Sequence, residues 1–290
     1  MKIGNVEVTA ATNNRASRLS LLLWGMSGVG KTTFACTLPG RKLIINLDPD
    51  GPVSVSHRGD VDIVDLSSLS TDDVLAKLKT ANNPLNLDGV LREGTYQSVI
   101  LDSATSLSQR ALEDAVRQGL GASKKASFTP SMEAPGLAAY GGRNAILLTC
   151  IKGLLRVTGR YNVHVCIISH EDEPKTNEQG EILYITMMLG GKLVQSTSLH
   201  LSEVWWMQDD KAGGHRVAIR PCRQRKPMKT RMFDASSEPE FPLDYDPFRW
   251  QDISQNPLAL WWSLWEKGDG SKLHLPGLRG KVISKAQSRA

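Results

Sequence analysis

Residues 19–38 read Leu19-Ser20-Leu21-Leu22-Leu23-Trp24-Gly25-Met26-Ser27-Gly28-Val29-Gly30-Lys31-Thr32-Thr33-Phe34-Ala35-Cys36-Thr37-Leu38. The first six form a short apolar run ending at a glycine, which is the pattern of a strand buried in a parallel sheet. The next eight, Gly25 to Thr32, match G-x-x-x-x-G-K-[ST]. The last six continue as a helix that Pro39-Gly40 stops. Strand, glycine loop and helix in this order specify a phosphate-binding loop. Glycines let the main chain curl so that successive N–H groups face one anion. The helix N-terminus adds its partial positive charge. The expected nucleotide-binding residues are therefore Gly25, Met26, Ser27, Gly28, Val29, Gly30, Lys31, Thr32 and Thr33. Lys31 would reach the β- and γ-phosphates and the Thr32 hydroxyl would ligate Mg²⁺, so ATP and Mg²⁺ are the expected ligands.

Working outward, strand and helix patterns alternate. Strands are expected over 41–47, 61–65, 98–102, 163–169, 182–188, 199–207 and 215–220. Helices are expected over 71–80, 106–118 and 145–157. This alternation predicts an α/β fold with a mostly parallel central sheet and helices on both faces. Residues 119–144, rich in Gly, Ala, Ser and Pro, read as a long loop, and long loops in compact domains are usually functional. Residues 236–242 read as a linker by composition. The expected organisation is an N-terminal arm over 1–17, a core over 18–234 and a C-terminal extension over 235–290. Within the extension, Trp261, Trp262 and Trp265 are expected to dock on the protein's own core or on a neighbouring subunit. Residues 271–290 carry five cations and no acid, the composition of a disordered basic tail. No apolar run approaches the ~18 residues that span a bilayer. The N-terminus lacks the apolar segment of a secretory signal. The four cysteines show no C-x-x-C spacing, which suits reduced thiols in a cytosol. A cytoplasmic location without a membrane partner is the expectation.

A phosphate-binding loop needs a carboxylate for the metal and a group that positions the attacking water. Asp102 ends an apolar strand, the Walker B position, from which it would hold Mg²⁺ together with Thr32. The water-positioning group is expected from the strand beside the phosphate-loop strand. Asp48 and Asp50 both follow such a strand, and Asp48 is the preferred one. His170 stands at the tip of another core strand, where a polar side chain can sense the γ-phosphate.

This order of motifs resembles the RecA-like ATPase core. Leu101-Asp102-Ser103-Ala104-Thr105-Ser106-Leu107 looks like RecA's Walker B segment, and His170 takes the place of its glutamine sensor. Gly190-Gly191-Lys192-Leu193 is similar to the stretch that closes RecA's second DNA-binding loop, and Asp48 falls where RecA carries a catalytic glutamate. The pattern looks closer still to phage-encoded AAA-type ATP-binding proteins, among them the Sak-type single-strand annealing proteins. Their strand, acidic turn, Asp-Ser and Ser/Ala-His-Glu segments recur here in order, the last as Ser169-His170-Glu171. The resemblance covers about residues 18–234. It implies a RecA-like ATPase acting on single-stranded DNA in recombination or annealing, in the host cytoplasm, as a ring or filament of identical subunits, with a single-strand-binding protein as a further partner. One departure is the aspartate at residue 48, whose shorter arm stands farther from the water.

The segment 211–231 carries eight cations and no acid. Such density suits phosphate contacts and counterion release. Arg225 and Lys226, with Lys124 and Lys125 from the 119–144 loop and Lys192 directly after a second long loop over 171–191, are the expected DNA-binding residues. RecA-like assemblies place basic residues of this region against a neighbour's γ-phosphate, which would make Arg220 and Arg223 arginine fingers acting in trans. Two other readings stay open. One is a P-loop kinase of a small acceptor, with the arginine-rich segment as its lid. The other is a non-catalytic module whose assembly ATP controls.

Overall fold

The computed structural model describes residues 17–49, 51–80, 82–119, 131–209, 214–221, 224–234, 240–267 and 272–273, with the backbone of 2–3 and 6–7. One eight-stranded sheet organises the molecule. Its strands are β1 (Ser20–Gly25), β2 (Lys42–Asn46), β3 (Val61–Asp65), β4 (Ser98–Asp102), β5 (His164–His170), β6 (Glu203–Asp209), β7 (His215–Ala218) and β8 (Glu240–Leu243). Their order across the sheet is β8-β7-β6-β1-β5-β4-β2-β3. The six strands from β6 to β3 are parallel, and β7 and β8 add an antiparallel edge. β1, β2 and β4 are buried along their whole length, as strands covered on both faces must be. Register places Gly25 opposite His170, and Asn46 opposite Asp102. The carboxyl ends of β1, β5, β4 and β2 therefore share one edge, where ligands collect in open α/β sheets.

On one face lie α2 (Thr71–Leu78), α3 (Leu87–Arg92), α4 (Ala104–Arg117), α5 (Gly136–Arg160) and α6 (Gly191–Leu199). Their apolar sides, Val74, Leu107, Leu147 and Ile151 among them, meet Leu22, Val99 and Val165 of the sheet in a continuous core. The opposite face carries α1 (Lys31–Ala35) and α7 (Pro257–Lys267). Phe34 and Trp261 join Leu21, Ile168 and Trp205 there. Serine caps start two helices: Ser70 accepts from the Asp73 N–H, and Ser103 from that of Ser106.

Several expectations change. The loop expected up to residue 144 ends earlier, because α5 begins at Gly136. Ala139, Ile146, Leu147 and Cys150 give its start a buried stripe, and that packing outweighs the low helix propensity of its glycines. Lys124 and Lys125 lie outside the described residues. The strand expected over 199–207 is the end of α6 followed by β6, and that expected over 182–188 is only Ile182–Tyr184, in a hairpin with Lys175–Thr176. Residues 240–242, read as the end of a linker, belong to the edge strand β8. The strand next to β1 is β5, not β2: β5 and β4 stand between β1 and the strand that leads to Asp48. Trp261 and Trp262 are buried against the protein's own core. Cys36, Cys150 and Cys166 are free, buried thiols.

Candidate nucleotide-binding site

β1 delivers the glycine loop to the sheet edge and α1 leaves from it. A Cβ on Gly25 would stand 2.1 Å from the Met207 carbonyl oxygen of β6, so only glycine fits. Gly30 is the N-cap of α1 at φ 82°, in the left-handed region that favours glycine, and no side chain caps the helix. The first-turn N–H groups of α1 are thus left for a ligand.

Lys31 is only 5% exposed. Its Nζ donates to the carbonyl oxygens of Gly25 (3.0 Å) and Met26 (2.5 Å) and lies 3.5 Å from His170 Nδ1. Burial pulls its pKa down to about 8, against the opposing fields of Asp102, Asp48 and Glu171. Thr32 Oγ1 donates to Asp102 Oδ2 at 2.6 Å. Asp102 is 4% exposed, and desolvation raises its pKa above the usual carboxylate value against the Thr32 hydrogen bond.

Asp48 enters from the turn after β2. Its Oδ1 accepts from the hydroxyls of Ser103 (3.0 Å) and Ser106, and its Oδ2 is 3.2 Å from His170 Nε2. Burial alone would raise this carboxyl, but the hydrogen bonds from His170, Ser106 and Ser103 outweigh it and hold the pKa below the ordinary value. His170 is itself placed by Thr105, whose Oγ1 accepts the His170 N–H at 2.8 Å and meets Ser169 Oγ at 3.2 Å. Lys31, Thr32, Asp102, Asp48 and His170 all line one cavity of about 840 Å³.

Among the residues lining this cavity to which the sequence gives no site role are Thr105, Gln109, Glu171 and His215. Thr105 and Gln109 continue the helix that Asp102 leads into, and Glu171 follows His170 directly, so proximity to known motifs was the available signal. His215 comes from a strand distant in sequence, and nothing local marks it.

The basic segment is more engaged than its composition suggests. Arg216 and Arg225 both pair with Glu240, at 3.0 and 2.8 Å. Arg225 also stacks over Trp206, 4.2 Å from the ring centre. Arg220 donates to the Asp234 carbonyl, and Lys229 to that of Ser198. Lys226 lines a second cavity of about 730 Å³ with Gly190 and Gly191, and Lys192 is exposed on the first turn of α6. Neither Arg220 nor Arg225 lines the nucleotide cavity. Arg223 lies outside the described residues.

Fold and site together define a P-loop nucleotide-binding protein, built as an α/β sheet in which one strand separates the phosphate loop from the Walker B aspartate. Residues 17–231 match the family AAA_24, described as an AAA domain, and the chain belongs to that family. No curated protein matches it. Among solved structures, a KaiC-like protein, PH0186 from the hyperthermophilic archaeon Pyrococcus horikoshii OT3, is 15% identical, with 79% of this chain and 87% of that chain covered at a TM-score of 0.41. The RadB recombinase is 12% identical, with 80% and 89% covered at 0.38. Neither likeness bears on activity. Among the described residues no helix is long and apolar enough to cross a membrane.

Proposed function

We propose that the protein binds ATP with Mg²⁺ and hydrolyses it. The observation that carries this reading is the meeting, at one sheet edge, of buried Lys31, the Thr32–Asp102 pair and the Asp48–His170 pair. A cation as buried as Lys31, bonded only to carbonyls and next to an imidazole, calls for an anion, and a triphosphate in the glycine loop supplies it. The donor set fits Mg²⁺ as well. Thr32 Oγ1 and Asp102 Oδ2 are hard oxygen ligands, and Mg²⁺ takes one or two such groups plus phosphate and water rather than a full protein cage. The bound ion would neutralise charge on the phosphate oxygens.

In this reading Lys31 and the loop amides hold the phosphates, and Thr32 and Asp102 hold the metal. His170 contacts the γ-phosphate. Asp48, with three donors on its carboxylate, keeps the imidazole in place rather than activating water itself. Hydrolysis of ATP, with Lys31→Ala as the inactive control, tests the assignment. A small phosphate acceptor that speeds turnover would favour the kinase reading, and sizing with and without ATP would expose a non-catalytic assembly module.

The finer reading is an oligomeric ATPase acting on single-stranded DNA in phage recombination or annealing. It is supported by the motif order and by the cations of Lys192 and Lys226, with Arg220 and Arg223 proposed as fingers toward a neighbouring subunit. Loss of all binding to single-stranded DNA at low salt would sink it.

A further inference from the structure

We propose that Glu171 is the general base of this ATPase, taking the proton of the attacking water while Asp48 only holds His170. The inference rests on the ATP-hydrolysis reading and names the residue that reading leaves open. Asp48 has both carboxylate oxygens engaged, Oδ1 by two serine hydroxyls and Oδ2 by His170. A carboxylate so stabilised as an anion is a weak proton acceptor.

Glu171 lines the same cavity and is built differently. Its backbone is fixed by an N–H bond to the Gly25 carbonyl at 2.9 Å, which ties the end of β5 to the phosphate loop. One side-chain oxygen, Oε2, accepts from Trp206 Nε1 at 2.6 Å. Among the described residues no hydrogen bond engages Oε1. The cations that act on it are Lys31 from α1, whose ammonium the phosphates would share, and Arg225, which stacks over the Trp206 ring. Asp48, Asp102, His170 and His215 line the same cavity, Asp172 is its chain neighbour, and β6 supplies the indole of Trp206. Burial raises the Glu171 pKa above its ordinary value, against the Trp206 hydrogen bond and the fields of Lys31 and Arg225. In the step itself the water oxygen forms a bond to the γ-phosphorus as the bond to the β–γ bridging oxygen breaks. That electron pair leaves with ADP, and the water proton goes to Glu171 Oε1.

The test is the pH dependence of ATP turnover by full-length wild type, Glu171→Gln, Asp48→Asn and Trp206→Phe, with binding of N-methylanthraniloyl-ATP measured in parallel. Glu171→Gln is expected to bind the analogue within about twofold of wild type and to lose about 100-fold in kcat, with the acid limb of the profile abolished. Trp206→Phe is expected to move that limb to higher pH, since the lost indole bond had favoured the carboxylate. Asp48→Asn is expected to keep the limb at a reduced rate. Turnover by Glu171→Gln within about threefold of wild type, or an acid limb that persists in it and vanishes in Asp48→Asn, would overturn the assignment. A wild type that binds the analogue but never turns over ATP would instead overturn the hydrolysis reading beneath it.

Discussion

Gly25 shows how a single atom can be excluded. The Met207 carbonyl oxygen occupies the space a Cβ would need, 2.1 Å away, and both belong to strands buried in the sheet centre. Neither backbone can move without breaking the β1–β6 ladder. Gly25→Ala should therefore destabilise the fold by on the order of 3 kcal/mol, read as a fall in the denaturant midpoint. An unchanged midpoint would contradict the close approach. His164 makes a second residue-scale prediction. It is buried, its Nδ1 accepts the Leu19 N–H at 3.0 Å, and desolvation lowers its pKa from 6.5 to about 4. The unfolded chain takes up a proton that the folded ring refuses, so stability is full above about pH 6.5 and falls as pH drops toward 4. The loss is of order 3 kcal/mol at most. His164→Gln should flatten stability between pH 7 and 4.5, and an equal slope in both proteins would refute the linkage. Residue-level legibility followed locality. Lys31, Thr32 and Asp102 stand in short motifs whose chemistry dictates spacing. The Asp48–His170 contact spans 122 positions and was reachable only because both residues terminate apolar strands. Nothing in the Ser169-His170-Glu171 motif assigns Glu171 a task, because its setting is made by the Trp206 indole, 35 positions away in the chain, and by burial.

At the scale of elements, α7 locks the second face of the sheet. Trp261 meets Phe34, Trp205, Phe233 and Phe241 edge-on, with ring centres 5.6–6.2 Å apart. Thr37 tethers the start of the helix through its backbone carbonyl to the Ala259 N–H. Trp261→Ala should cost about 3–5 kcal/mol. A chain ended after residue 234 should fail to unfold cooperatively, because it lacks both β8 and this aromatic plug. A sharp thermal transition in that truncated chain would show the two elements to be an appendage. Composition hid this. Pro242 sits in β8, where an edge strand tolerates proline, and its Ser-Pro-rich surroundings read as linker. The glycines at 136, 141 and 142 concealed the start of α5, of which only 145–157 is legible as helix, since tertiary burial overrides local propensity. β1, β4 and β5 were legible because full burial leaves continuous apolar runs, whereas the insertion of β5 between β1 and β4 is a matter of topology that no local pattern carries.

At the scale of the molecule, the run of cations over 211–231 overstates how many of its described members stand unpaired. Glu240 neutralises Arg216 and Arg225 together, from a strand that composition had assigned to a linker. Glu240→Gln should free both guanidinium groups. If that face meets single-stranded DNA, binding at low salt tightens and its salt dependence steepens. Equal binding by both proteins would remove Arg225 from the DNA surface. The α/β class and the phosphate loop were readable from the order of strands and helices. Which cations remain available to a partner was not, because pairing is decided by the antiparallel edge formed late in the chain. The most direct measurement of the central claim is Mg²⁺-dependent ATP turnover by wild type beside Lys31→Ala, with thermal unfolding of both. The account predicts turnover by wild type, a loss of about 100-fold or more in Lys31→Ala, and similar unfolding midpoints. A wild type that neither binds nor hydrolyses ATP, or a Lys31→Ala that matches it, would contradict it.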